Sequence, residues 1–152
     1  MLHQVAQIVY NAHRNGLITI LWSLPRGKAI KDEKGYHLTV GVAGLAAAFG
    51  GDFVNVNYPK KDGVESADAL KEAVVAAGRT KVVCAGGESC DVKTFLQRLY
   101  DQIHLGGVAG NATGRNIHQK PLQEAVKFCN AIYAITVENT GVEEAWKVYS
   151  SD

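Results

Sequence analysis

Gly106-Gly-Val-Ala-Gly-Asn-Ala-Thr-Gly-Arg-Asn-Ile-His118 reads as one β/α unit. A short apolar strand around Gly107 to Asn111 ends in the pair Gly114-Arg115, and a helix follows with Pro121 in its first turn. Glycine lets a backbone approach an anion closely, and arginine adds a forked, permanently charged donor. A helix start at the same place adds free N–H groups and the positive end of a dipole. These are the parts of a phosphate pocket at the mouth of a β/α unit. A Gly-Arg turn can also do no more than close a loop, so its meaning depends on the sequence around it.

Upstream, helix and strand signals alternate regularly. Val5, Ile8, Val9 and Ala12 fall at helical spacing, and Asn15-Gly16 ends that helix. Leu17 to Trp22 is a nearly continuous apolar run, the pattern of a strand covered on both faces. After the Pro25-Arg26-Gly27 turn and a charged loop, Leu38 to Phe49 forms a small-residue helix stopped by Gly50-Gly51. Phe53 to Val56 is a second strand, followed by a loop from Tyr58 to Gly63. Ser66 caps a helix carrying Leu70, Ala73, Val74 and Ala77, and Lys81 to Ala85 is a third strand ending in Gly86-Gly87. Asp91 caps a helix with Val92, Phe95, Leu96, Leu99 and Ile103 on one face. Beyond the fourth strand, Leu122, Ala125, Val126, Cys129, Ile132 and Tyr133 pattern a further helix, and Val142 to Tyr149 a last one.

Short buried strands separated by crossover helices imply parallel pairing with right-handed connections. Two architectures fit α-(βα)×4: a doubly wound open sheet, or part of a (β/α)8 barrel, of which four strands make half. With 152 residues, 47% hydrophobic and 20% charged, the chain is expected to be a single globular unit over residues 1–152. A net charge of +1 gives no reason to expect a nucleic-acid partner, and no apolar stretch approaches the ~20 residues of a membrane span. Cys84, Cys90 and Cys129 lack metal-ligand spacing; reduced thiols in a cytoplasmic protein are expected, with Cys84 and Cys129 in the core.

In either architecture ligands bind at the carboxyl ends of the strands. Trp22-Ser23-Leu24-Pro25-Arg26-Gly27 follows the first strand, Asn55-Val-Asn57 lies on and after the second, Gly86-Gly87-Glu88-Ser89 follows the third, and Gly114-Arg115-Asn116 the fourth. Glycine turns after two consecutive final strands fit the divided phosphate site of many barrels, although Gly86-Gly87 alone reads as a tight turn. Asn55 and Asn57 alternate with Val54 and Val56, so the amides share one face; a hydrogen-bonded pair lining a barrel interior is the first reading. Trp22 is either a core aromatic or the wall of a sugar-phosphate pocket. Glu88 reads as an exposed turn residue, and Lys31, Lys34, Lys60, Lys61 and Arg79 as solvated loop charges.

These ordered motifs resemble the bacterial and archaeal-type class I fructose-bisphosphate aldolases. The resemblance rests on Trp-Ser-x-Pro-Arg-Gly, Asp52-Phe-x-x-Val-Asn-Tyr-Pro59, Ala85-Gly-Gly and Gly114-Arg-Asn-Ile117, and it spans essentially the whole chain. It implies a half barrel that begins with the helix before strand five. It also implies cleavage of fructose 1,6-bisphosphate to two triose phosphates through a lysine imine, with no cofactor. The imine lysine's position is Asn55 here, and that of the proton-transferring tyrosine is Leu24. Trp22 and the phosphate-binding set Gly86, Gly87, Gly114 and Arg115 are retained. The resemblance thus implies a sugar-phosphate ligand and a chain inactive alone, or a non-catalytic module. Unpaired edges on the first and fourth strands imply self-association or pairing with another half barrel.

Overall fold

The structure is a computed structural model and describes residues 1–151. Helix α1 (Leu2–Arg14) leads into strand β1 (Ile20–Trp22), and helix α2 (Tyr36–Ala48) into β2 (Phe53–Val56). A small hairpin, β3 (Lys60–Lys61) and β4 (Val64–Glu65), precedes helix α3 (Ala67–Ala76) and strand β5 (Lys81–Ala85). Helix α4 (Val92–Tyr100) continues into a π-helical turn (Asp101–Leu105), followed by β6 (Gly110–Ala112), the single-turn α5 (Arg115–His118), α6 (Leu122–Thr136) and α7 (Val142–Ser150).

Strand order settles the architecture. The four-stranded sheet runs β1-β2-β5-β6, every neighbour parallel and in chain order, with no reversal of the kind that defines a doubly wound sheet. Sequential winding of this type builds barrels, and four strands are half of the eight a barrel needs.

The two faces of the sheet differ accordingly. Val54, Val56, Val82 and Cys84 point outward into a core shared with Ala43 and Ala46 of α2 and Leu70 and Ala73 of α3. Alanine and glycine let α2 approach closely: a Cβ on Gly44 would already touch the Ala76 carbonyl. A second core joins Phe95, Leu96 and Leu99 of α4 to Phe128, Ala131 and Ile135 of α6 and Ala145 of α7. Phe95 and Phe128 meet edge to face at 5.1 Å, worth about 0.5–1.5 kcal/mol beyond their burial. On the opposite, concave face, Ile20 and Trp22 remain exposed.

Both expected side-chain caps form. Ser66 accepts from the Ala69 N–H and Asp91 from the Thr94 N–H. Elsewhere the boundaries move. Leu17 and Ile18 are exposed and β1 starts only at Ile20, because the half sheet offers that segment no partner. The segment expected as a loop after Tyr58 contains the β3–β4 hairpin, whose turn is held by Asp62 and Gly63 at positive φ. Gly106 and Gly107 close the π-helical turn, so β6 begins later, at Gly110. Pro121 caps α6 and stands outside the first turn, with the short α5 intervening.

Cys129 is exposed, against the expectation of a core position; only Cys84 is buried. The cause is the choice of face on α6. Its buried residues are Phe128, Ala131, Ala134 and Ile135, whereas Leu122, Val126 and Tyr133 of the anticipated stripe face outward. The helix carries apolar residues on two sides, and this chain covers one of them.

At the amino ends of the strands, Asp52 holds the start of the sheet. Its Oδ2 accepts from the Thr19 N–H at 2.7 Å and from the Thr19 hydroxyl at 3.0 Å, and lies 2.9 Å from His13 Nε2. These bonds, that to His13 first, lower the carboxyl from 3.8 to about 2. A depressed folded value means the stabilisation is complete above pH 3.8 and disappears as pH falls through about 2. Wild type is therefore expected to lose thermal stability over that interval more steeply than Asp52→Asn, measured by circular dichroism melts across the pH range. Parallel curves for the two proteins would contradict this role.

Candidate phosphate-binding cleft

The residues singled out after each strand converge. Trp22, Leu24, Asn55, Gly86, Gly87, Gly114 and Arg115 all line one cleft of about 440 Å³ at the carboxyl ends of the strands. A somewhat larger hollow of about 530 Å³ lies at the amino ends, among Gly50, Asp52, Thr80 and Lys81. The carboxyl end is the better candidate, because barrels place their chemistry there and their stabilising contacts at the other end.

The two glycine turns are joined directly. Arg115 Nη2 donates to the Gly87 carbonyl at 3.1 Å. Asn116, 3% exposed, does more: its Nδ2 donates to the carbonyls of Gly86 at 3.4 Å and Glu88 at 3.1 Å, and its Oδ1 accepts the Cys90 N–H at 3.0 Å. One side chain after β6 thereby shapes the whole turn after β5. Gly86 is required by space, since a Cβ there would stand 2.9 Å from the Thr113 Cα. Gly87 is required by conformation, with φ at +73°. Gly114 meets neither constraint; a Cβ there has nothing within 4 Å, so the cleft is open beside it.

Asn55 sits on the cleft floor at 2% exposure, and its Oδ1 is buried without a hydrogen-bond partner. Asn57 Nδ2 donates to the Glu33 carbonyl at 3.1 Å. The expected asparagine pair is thus divided: both amides line the cleft, but they do not satisfy one another. Trp22, 63% exposed, is a cleft wall and not a core aromatic. Glu88 is exposed on the rim, as expected for a turn residue.

Lys34, expected as a solvated loop charge, lines the cleft together with Glu33 and Arg26. The Lys60 N–H donates to the Lys34 carbonyl at 2.7 Å and the Lys34 N–H donates to Asp32 Oδ1 at 2.9 Å, folding the charged loop over the rim. Its place after the first strand was the available signal. Arg26 and Glu33 form an exposed pair at 3.4 Å, which contributes little energy. Beneath the cleft, burial pushes the Cys84 thiol up to about 12, which leaves it unreactive.

Sequential parallel strands whose carboxyl-end glycine turns are bridged by an arginine define half of a barrel-type α/β fold. The model of the DeoC/LacD family aldolases matches residues 1–120, and the chain belongs to that family. A curated relative from Methanocaldococcus jannaschii, a fructose-bisphosphate aldolase/6-deoxy-5-ketofructose 1-phosphate synthase, is 55% identical over 152 residues, covering 100% of this chain and 48% of the relative. A solved fructose-bisphosphate aldolase from Slackia heliotrinireducens superposes with a TM-score of 0.93 at 51% identity, covering 98% of this chain and 48% of that one. An archaeal fructose-1,6-bisphosphate aldolase, solved with its catalytic lysine bound to the carbinolamine intermediate of the substrate, gives 0.79 at 26% identity over 90% of this chain and 51% of its own. The chain spans about half the length of these relatives, and its fold is half of their barrel.

Proposed function

We propose that this chain is the carboxyl-terminal half of a fructose-bisphosphate aldolase-type barrel and contributes the grip for a sugar phosphate. The observation that carries the reading is the Arg115–Gly87 bond, which joins the turns after β5 and β6 around an open cleft. Backbone N–H groups at the start of α5 and the Arg115 guanidinium supply donors for a phosphate oxygen. Trp22 offers a flat wall for the sugar carbons.

The reaction of a whole barrel of this type is cleavage of a ketose bisphosphate to two triose phosphates, through an imine on a lysine that the resemblance aligns with Asn55. Asn55 has no basic amine and Leu24 no proton to transfer, so this chain binds the phosphate end and does not itself perform the cleavage. Asn55 and Leu24 in a cleft that still carries Gly86, Gly87, Gly114 and Arg115 also support a non-catalytic reading, a module that binds sugar phosphates without turnover. The three unbridged thiols fit a cytoplasmic setting; among the described residues no helix is long and apolar enough to cross a membrane.

Arg115→Ala is expected to weaken glycerol 3-phosphate binding by about tenfold or more, since a charged hydrogen bond is worth ~1.5–3 kcal/mol. Isothermal titration measures it; unchanged affinity would remove the cleft from consideration.

A complementary half barrel covers the concave face and the outer side of α6. Ile20 and Trp22 on the sheet, with Leu122, Val126 and Tyr133 on the helix, form the apolar surface that needs it. Produced alone, the 152-residue chain is expected to sediment as a dimer or larger species. A monodisperse, fully folded monomer in dilute solution would count against this pairing.

A further inference from the structure

Arg98 belongs to none of the motifs, yet its guanidinium lies directly under the phosphate turn. It projects from the last turn of α4 and is 16% exposed. A Cβ built on Gly87 would stand 2.9 Å from both of its terminal nitrogens, so the turn's backbone rests on the guanidinium. Nη2 donates to Glu65 Oε1 of β4 at 2.6 Å, and Cζ lies 5.5 Å from the ring centre of the buried Tyr58. Nε is buried with no acceptor.

An arginine stays charged in any protein environment, and burying that charge is costly unless it is compensated. Here one carboxylate and one ring face compensate it, while part of the donor set is left unanswered. The terminal nitrogens of the guanidinium face the turn whose carbonyl is held from the other side by Arg115. Gly87 is therefore fixed between two guanidinium groups, one on the cleft side and one beneath.

We propose that Arg98 is a positioning residue of the phosphate site: it supports the Gly86-Gly87 turn from below and biases it toward dianionic phosphate, with Glu65 holding it in place and offsetting part of its charge. The inference rests on the reading of the cleft as a phosphate site, and extends that site to the β3–β4 hairpin. The hairpin thereby acquires a function, since Glu65 fixes a group that the cleft depends on without touching the ligand.

The test uses the full chain at about pH 8 with two probes of one shape, methyl phosphate as dianion and methyl sulfate as monoanion. Wild type is expected to bind methyl phosphate more tightly. Arg98→Met, which keeps bulk without charge, should lose about tenfold in affinity for methyl phosphate, or about 1.4 kcal/mol, and clearly less for methyl sulfate. Arg98→Lys should recover most of the preference. Equal losses for both probes would mean a purely structural brace and would overturn the proposal, as would no loss at all. If Arg98→Met does not fold, Glu65→Gln decides: an amide of the same length still accepts from the guanidinium and keeps its place but no longer offsets its charge, so methyl phosphate should bind more tightly, and unchanged or weaker binding refutes it. If wild type binds neither probe, the cleft reading itself fails. If wild type binds and Arg115→Ala weakens it while Arg98→Met does not, only the role of Arg98 fails.

Discussion

Borohydride is expected to leave no adduct between dihydroxyacetone phosphate and the wild-type chain, whereas the Asn55→Lys, Leu24→Tyr variant is trapped covalently. Asn55 lies on the cleft floor at 2% exposure, so a longer side chain there would extend from the floor into the cleft. A lysine there would lose part of its ordinary basicity by desolvation and so present a neutral amine. That amine adds to the ketone carbonyl; water leaves the carbinolamine, and hydride reduces the imine to a stable secondary amine. Tyrosine at position 24 would stand in the same cleft and supply a proton for the departing water. Intact-protein mass spectrometry reads the outcome. Labelling of wild type would overturn the assignment of position 55 and direct attention to Lys34, the lysine that shares the cleft.

The second large effect concerns Asn116. Its side chain makes three hydrogen bonds to backbone groups of the turn after β5 from an almost fully buried position. Asn116→Ala leaves the Cys90 N–H and two carbonyls without it, and is expected to cost about 2–4 kcal/mol of stability in urea unfolding. Asn116→Asp is expected to be no better. A carboxylate still accepts the Cys90 N–H, but it turns acceptors toward the Gly86 and Glu88 carbonyls. Both variants should also weaken phosphate binding, because the turn they release is the one Arg115 grasps. Wild-type stability in either would show that the turn holds itself.

The β/α alternation was legible because short apolar runs and glycine stops recur along the chain, and Ser66 and Asp91 cap their helices as their side chains dictate. Placement of the site was legible as well, since parallel strands bring their carboxyl ends to one side whatever their spacing. The choice between an open sheet and a barrel was not legible in local pattern, because it depends on strand order; the ordered motifs, through the resemblance they carry, pointed to the half barrel, and the observed order β1-β2-β5-β6 agrees. Cys129 was misplaced because α6 has two apolar sides and periodicity alone does not say which meets this chain's core. Lys34 and Arg98 escaped for a different reason. Each reaches the site across tertiary contacts, Lys34 through a loop held by the hairpin and Arg98 from the far end of a helix. Charged residues in those positions look solvated until the neighbours are known.

The exposed indole of Trp22 gives the protein a built-in optical reporter. It stands on the cleft wall and on the uncovered concave face, whereas Trp146 is packed among aromatic and apolar neighbours of α7. Emission from the two tryptophans should therefore separate by environment, with the red-shifted component belonging to Trp22. A ligand entering the cleft would quench that component, and a partner closing over the face would shift it to the blue. The same residue would distinguish occupancy from assembly in a single cuvette.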